Sequence, residues 1–137
     1  MQATASDDHT WRLWHLPDGE LIMSGEGHAD WVAALDFHPN GACLASGSGD
    51  ATIKLWDFAR RRCAATLAEH TAAVWSVAFH DRGEFLASGS LDHSIRLWDV
   101  AAGACRAVRR ASFELASLLC PLGVRNRMRD RPSCRFQ

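Results

Sequence analysis

At 137 residues, 47% hydrophobic and 23% charged, the chain can bury one core of ordinary size, and its composition is that of a globular protein rather than a disordered or fibrous one. No apolar run approaches the roughly 20 residues of a membrane-spanning helix, and the opening MQATASDDHT lacks the basic start and apolar centre of a signal peptide, so an intracellular setting is expected. The net charge of -1 conceals a division: residues 1–100 carry 7 basic and 14 acidic side chains, residues 101–137 carry 8 and 2, which puts a boundary near residue 110.

The pattern begins at once. Ala3 to Ser6 and Trp11 to Leu16 read as strands, the turn Pro17-Asp18-Gly19 follows, and Leu21 to Met23 makes a third strand. Gly27-His28 opens a longer unit. Val32, Leu35 and Phe37 form an apolar series closed by Pro39-Asn40-Gly41. Cys43 to Ser48, a tight turn at Gly49-Asp50, Thr52 to Asp57, a polar turn at Arg60 to Arg62, and Cys63 to Leu67 complete four strands. From Glu69-His70 the same order returns: Val74, Val77 and Phe79, the turn Asp81-Arg82-Gly83, then Phe85 to Ser90, Ser94 to Asp99 and Ala104 to Val108.

SGSGDATIKLWD at residues 46–57 recurs as SGSLDHSIRLWD at 88–99 and, eroded, as TASDDHTWRLWH at 4–15. The interval is 42 residues for the acid (Asp8, Asp50, Asp92) and for the indole (Trp14, Trp56, Trp98). It also relates His28 to His70, but the next station is Ser112 and the pattern fails there. A repeat of this length, made of four short strands and ending in Trp-Asp, predicts β-propeller blades. The expected fold is all-β, about two and a half blades of antiparallel strands in an open rather than a closed ring. A partial blade at 1–26 precedes blades at 27–68 and 69–110. The segment before Ala3, which would supply an apolar strand ending in Phe, is missing, so the chain reads as starting partway through a blade.

These units resemble WD repeats, from Thr4 to about Val108. The resemblance implies a buried hydrogen-bond chain inside each blade, formed by His28, Ser46, Asp50 and Trp56 in one and His70, Ser88, Asp92 and Trp98 in the next. The partial blade offers Thr4, Asp8 and Trp14 with no histidine. The chemistry suits such a chain: indole N–H only donates, hydroxyl and imidazole do both, and carboxylate only accepts. Glu69 in place of Gly and His15 in place of Asp depart from the family pattern. The wording of the units also resembles WD-repeat members of the central apparatus of motile cilia and flagella. It implies a protein-interaction scaffold in the cytoplasm, cytoskeleton and axoneme, with central-apparatus proteins as partners. The alternative is a truncated isoform or gene fragment of such a protein, with partial or no scaffold function.

His28, Asp50 and Ser46 have the residue types of a hydrolase triad. That reading is disfavoured because the set recurs in each repeat without a nucleophile elbow or oxyanion motif. None of the seven histidines falls at His-x-x-x-His spacing, so no metal or other cofactor is expected, and no enzyme activity. The cysteines Cys43, Cys63, Cys105, Cys120 and Cys134 form no Cys-x-x-Cys pair and are odd in number, and are read as free thiols. Trp31 and Trp75 lie near the loops that open on one rim, where they either anchor a partner or pack on the neighbouring blade; Asp30 is a further candidate on that rim.

Residues 111–137 differ in kind. Phe113, Leu115, Leu118 and Leu119 suit a short helix capped by Ser112 and ended by Pro121 and Gly123, before an arginine-rich tail read as solvated and disordered. With one aromatic, no lysine and no binding motif, the tail gives little ground for nucleic-acid or membrane contact. Val, Leu, Ile and Phe on the end blades predict self-association through exposed blade ends.

Overall fold

The computed structural model describes residues 1–111; the helix and tail expected beyond Ala111 lie outside the described residues. The described chain is all-β: β1 (Gln2–Ala5), β2 (Trp11–His15), β3 (Glu20–Gly25), β4 (Val32–Phe37), β5 (Cys43–Ser48), β6 (Ile53–Asp57), β7 (Arg62–Leu67), β8 (Val74–Phe79), β9 (Phe85–Ser90), β10 (Ser94–Asp99) and β11 (Ala104–Arg110). They form three antiparallel sheets, β1-β2-β3, β4-β5-β6-β7 and β8-β9-β10-β11, each a meander of sequence neighbours. Among the described residues the array is open and no sheet closes on itself. Strand limits move by one or two residues from the sequence reading, most at the outer strands: β3 and β11 continue to Gly25 and Arg110, because ladder bonds extend past the last apolar side chain.

The 42-residue period governs details that side-chain type does not advertise. The pairing of the two outer strands slips one residue beside each repeated tryptophan, between Leu13 and Trp14, Leu55 and Trp56, and Leu97 and Trp98. A second slip lies near the start of the inner strand, between Val32 and Ala34 and between Val74 and Ser76, leaving Ala33 and Trp75 as bulged residues. Bulges raise local twist and re-aim side chains, which suits twisted sheets stacked face to face.

The core lies between sheets. Ala3, Trp11 and Leu13 of the first sheet meet Val32, Leu35, Leu44 and Trp56 of the second. Ala45, Ile53, Leu55 and Leu67 on its other face meet Val74, Val77, Phe79, Leu86 and Trp98 of the third. The outer face of the third sheet repeats that chemistry uncovered: Ile53 and Leu55 are 0% and 5% exposed, whereas Leu97, one repeat after Leu55, is 37% exposed.

All three sheets share one polarity. The turns β1–β2, β5–β6 and β9–β10 and the connections β3–β4 and β7–β8 gather at one end, here called the upper end; the remaining turns form the lower end.

Candidate functional site

Each four-stranded sheet contains a continuous side-chain hydrogen-bond chain. In the second sheet, Trp56 Nε1 donates to Ser46 Oγ at 2.8 Å, Ser46 Oγ meets His28 Nε2 at 2.7 Å, and His28 Nδ1 meets Asp50 Oδ2 at 2.9 Å. In the third sheet the distances are 2.8 Å for Trp98 to Ser88, 2.7 Å for Ser88 to His70, and 2.7 Å for His70 to Asp92. Burial pushes both imidazoles below their ordinary pKa, against the pull of the adjoining aspartates. A neutral imidazole fits the geometry: Nδ1–H donates to the carboxylate while Nε2 accepts the serine hydroxyl, whose oxygen accepts the indole N–H. Protonation at Nε2 would leave the serine hydrogen without an acceptor.

The aspartates also organise the upper turns. Asp50 accepts from Ala29 N–H at 3.0 Å and from Thr52 N–H and Thr52 Oγ1 at 2.9 and 2.7 Å. Burial alone would raise its pKa, but bonds from the Thr52 hydroxyl, the Ala29 N–H and His28 outweigh it and bring the group to about 2. Asp92 is likewise lowered, with burial again outweighed, by Ser94, His70 and Thr71 N–H. Thr52 and Ser94 therefore belong to the constellation, and so do Ser48 and Ser90, whose hydroxyls donate to the carbonyls of Asp30 and Ala72. Their 42-residue spacing is the signal by which the sequence could have revealed them.

The first sheet carries only a remnant. Trp14 Nε1 donates to Thr4 Oγ1 at 2.9 Å, but Thr4 is exposed. Asp8 joins neither; its carboxylate bonds Thr10 N–H and Oγ1 and reaches Arg12 at 3.4 Å.

Ser46 and Ser88 are 0% exposed, and each hydroxyl oxygen is engaged by both an indole and an imidazole. Among the described residues no group of three His, Cys, Asp or Glu side chains could hold a metal. Cys43, Cys63 and Cys105 are free and half-buried.

The three rim candidates come together at the upper end. Trp31 lies in the connection before β4 and Trp75 on the bulge of β8, so they belong to adjacent sheets, and their rings meet with centroids 4.8 Å apart at 44°. One side of Trp31 lies on Gly49, where a Cβ would stand 2.5 Å from the indole. Trp75 is 38% exposed. Asp30 Oδ1 accepts the Trp31 N–H at 2.8 Å. The pair therefore both bridges two sheets and leaves aromatic surface open.

At the lower end a cleft of about 310 Å³ is lined by Asp36, Phe37, His38, Pro39, Phe79 and Asp81. Asp36 is 1% exposed, and Oδ2 accepts the Phe79 N–H of the next sheet at 2.7 Å while Oδ1 has no hydrogen-bond partner among the described residues. Burial raises its pKa, against the Phe79 and Phe37 N–H groups. His38 Nε2 completes the crossing with a 3.1 Å bond to the Gly83 carbonyl. The sequence reading assigned Asp36 no role; an acid where the following repeat has Ala78 was the available signal.

Similarity to known proteins agrees with this architecture. A family model described as "WD domain, G-beta repeat" matches residues 19–57 and 61–99. The flagellar WD repeat-containing protein Pf20 of Chlamydomonas reinhardtii is 70% identical over 27 residues, 20% of this chain and 4% of that protein. A Lissencephaly-1 homolog of Dictyostelium discoideum is 43% identical over 44 residues, 32% of this chain and 10% of its own. The nuclear distribution protein nudF 2 of Penicillium rubens is 48% identical over 44 residues, 32% and 9% of the two chains. The chain thus spans about a tenth or less of the length of these relatives. With more than half of its residues inside the matched repeats, the chain belongs to the WD-repeat (WD40) family.

Proposed function

We propose that the chain is a non-catalytic protein-interaction scaffold of the motile cilium or flagellum, acting in the central apparatus of the axoneme. WD repeats indicate an interaction scaffold. The ciliary assignment is supported by the 70% identity to a flagellar WD-repeat protein over 27 residues, and by the resemblance of TASDDHTWRLWHLPDGE and FHPNGACLASGSGDATIKLWDF to the early blades of sperm-associated antigen 16. The scaffold's units are taken as 1–26, 27–68 and 69–110. Within them the His28 and His70 chains hold each blade, and Asp30, Trp31 and Trp75 bind partners. The observation that carries the scaffold reading is the division of labour: the repeated polar side chains are spent on internal bonds, while aromatic surface is left open at the upper rim. Co-sedimentation of the chain with isolated axonemes tests it. The wild type is expected to pellet with central-apparatus complexes and Trp75→Ala to remain in the supernatant at least in part; equal partition of both rules the rim out.

A further inference from the structure

We propose that the lower cleft is a binding site for a primary alkylammonium group, the chemistry shared by a lysine side chain and a free amine. The ammonium sits on Asp36 Oδ1 and the Asp81 carboxylate, and the alkyl stem lies against Phe37, Pro39 and Phe79. The site is at the opposite end from Trp31 and Trp75 and is independent of the partner-binding role given to that rim.

The cleft is graded from floor to mouth. Asp36 and Phe79 are buried, Phe37 and His38 are half-buried, and Pro39 and Asp81 are exposed. Its floor forms where two blades meet: β8 is the edge strand of its sheet, and Asp36 Oδ2 takes the Phe79 N–H of that strand at 2.7 Å. Oδ1 is buried and has no hydrogen-bond partner among the described residues, so its acceptor capacity is unspent. Leaving a buried acceptor in that state is costly. The fold itself does not ask for the acid, because the following blade carries Ala78 at the equivalent position.

Charge and shape choose the occupant. Two acids and no Lys or Arg line the cleft, and neither Asp36 nor Asp81 enters an ion pair among the described residues. Arg82, exposed and next to Asp81 in sequence, is not one of the lining side chains. His38 adds no charge in the observed arrangement: Nδ1 accepts the Asn40 N–H at 3.2 Å, and the proton on Nε2 goes to the Gly83 carbonyl. A volume of about 310 Å³ is at the small end for a ligand site and suits a slim stem. An ammonium is a compact point charge that one buried oxygen can meet, whereas the planar fork of a guanidinium is matched by paired acceptors. With Asp36 1% exposed, the ammonium reaches Oδ1 as the half-buried Phe37 and His38 side chains give way. Once there, it offsets the burial that pushes the Asp36 carboxyl up.

Saturation-transfer NMR on the full chain tests the site, with n-butylammonium chloride and the capped peptide Gly-Gly-Lys-Gly-Gly as probes and n-butanol as the uncharged control. Saturable binding of n-butylammonium in the millimolar range is expected, and n-butanol should bind more weakly. Asp36→Asn, which keeps an oxygen for the Phe79 N–H, should weaken n-butylammonium binding about tenfold or more with the strand circular dichroism intact, and Asp81→Asn about two- to fivefold. Glu84→Gln, at an exposed acid outside the lining, should leave binding unchanged. Should Asp36→Asn fail to fold, titration of the wild type replaces it, with a saturable shift of the Phe79 amide resonance as the expected sign of an occupant at the floor. No saturable binding of either charged probe, binding indifferent to Asp36→Asn, or binding without a Phe79 shift overturns the proposal. Peptide binding at least as tight as that of n-butylammonium supports the site with a protein lysine as its source, and binding of n-butylammonium alone supports it with a free amine.

Discussion

At the scale of single residues, the decisive groups are carboxylates whose environments pull in opposite directions. Asp50 and Asp92 are held below their ordinary pKa by the bonds they accept, and Asp36 is pushed above it by burial. A depressed carboxylate contributes stability that is present above its unfolded pKa and lost as pH falls through the folded value. Asp50 and Asp92 thus predict acid unfolding that begins below about pH 4 and continues toward pH 2. Asp36 has the other sign, and its destabilising charge is relieved as the solution is acidified. The histidines, lowered by burial, add a loss of stability as pH drops below about 6.5. Asp92→Ala tests the residue scale most directly, because it strips the acceptor from His70, Ser94 and the Thr71 N–H together. It should destabilise by about 1–3 kcal/mol at neutral pH and shrink the acid-induced loss; an unchanged melting midpoint would contradict this. The members of these chains were named in the sequence through the resemblance to WD repeats, and the 42-residue interval marked their places in each unit. Asp36 stood out only as an acid where the following repeat has Ala78, a signal that does not say which N–H of the neighbouring sheet its carboxylate accepts.

At the scale of elements, the repeats are not interchangeable, and the differences come in compensating pairs. Trp31 and Gly49 stand where the next unit has Ala73 and Leu91: the indole covers the glycine in one blade, and in the other the same backbone bond, Leu91 N–H to the Ala73 carbonyl, is kept with the large and small residues exchanged. Trp11 and Gly25 make a similar exchange with Ile53 and Leu67, the Trp11 indole occupying the space a Gly25 side chain would need. Strand type follows from alternation and could be read from the sequence. Which large residue is matched to which small one depends on contacts across a ladder or a turn, and the period alone does not reveal it. Gly49→Leu should therefore displace Trp31, cost about 1–3 kcal/mol and alter the near-ultraviolet circular dichroism of the Trp31–Trp75 pair. Adding Trp31→Ala recreates the Ala73–Leu91 arrangement and should recover most of that stability in a double-mutant cycle. A purely additive double variant would show that the two positions do not communicate.

At the scale of the whole molecule, each blade buries one face only by borrowing the next. The third sheet covers Ile53 and Leu55 with Val74, Val77 and Phe79, yet offers Ile95 and Leu97 on its own outer face with no described sheet against them. Repeat arrays are stabilised by such nearest-neighbour contacts and kept soluble by polar terminal units. Arg109, standing where the previous blade has the buried Leu67, is the one strongly polar substitution among the positions compared, and it leaves the Ile95–Leu97 strip apolar. At the opposite end, Gln2 replaces the buried Leu44 of the next unit, so the two ends differ in stickiness and association should run through the third sheet. Sedimentation velocity should show an average mass that rises with concentration. Leu97→Glu, which puts a charge in the middle of the exposed strip without touching the His70 chain, should shift the distribution toward monomer while leaving the circular dichroism spectrum of the strands intact. A cooperatively melting monomer at every concentration would contradict the open-stack picture, because it would require the Ile95–Leu97 face to be covered from within the chain.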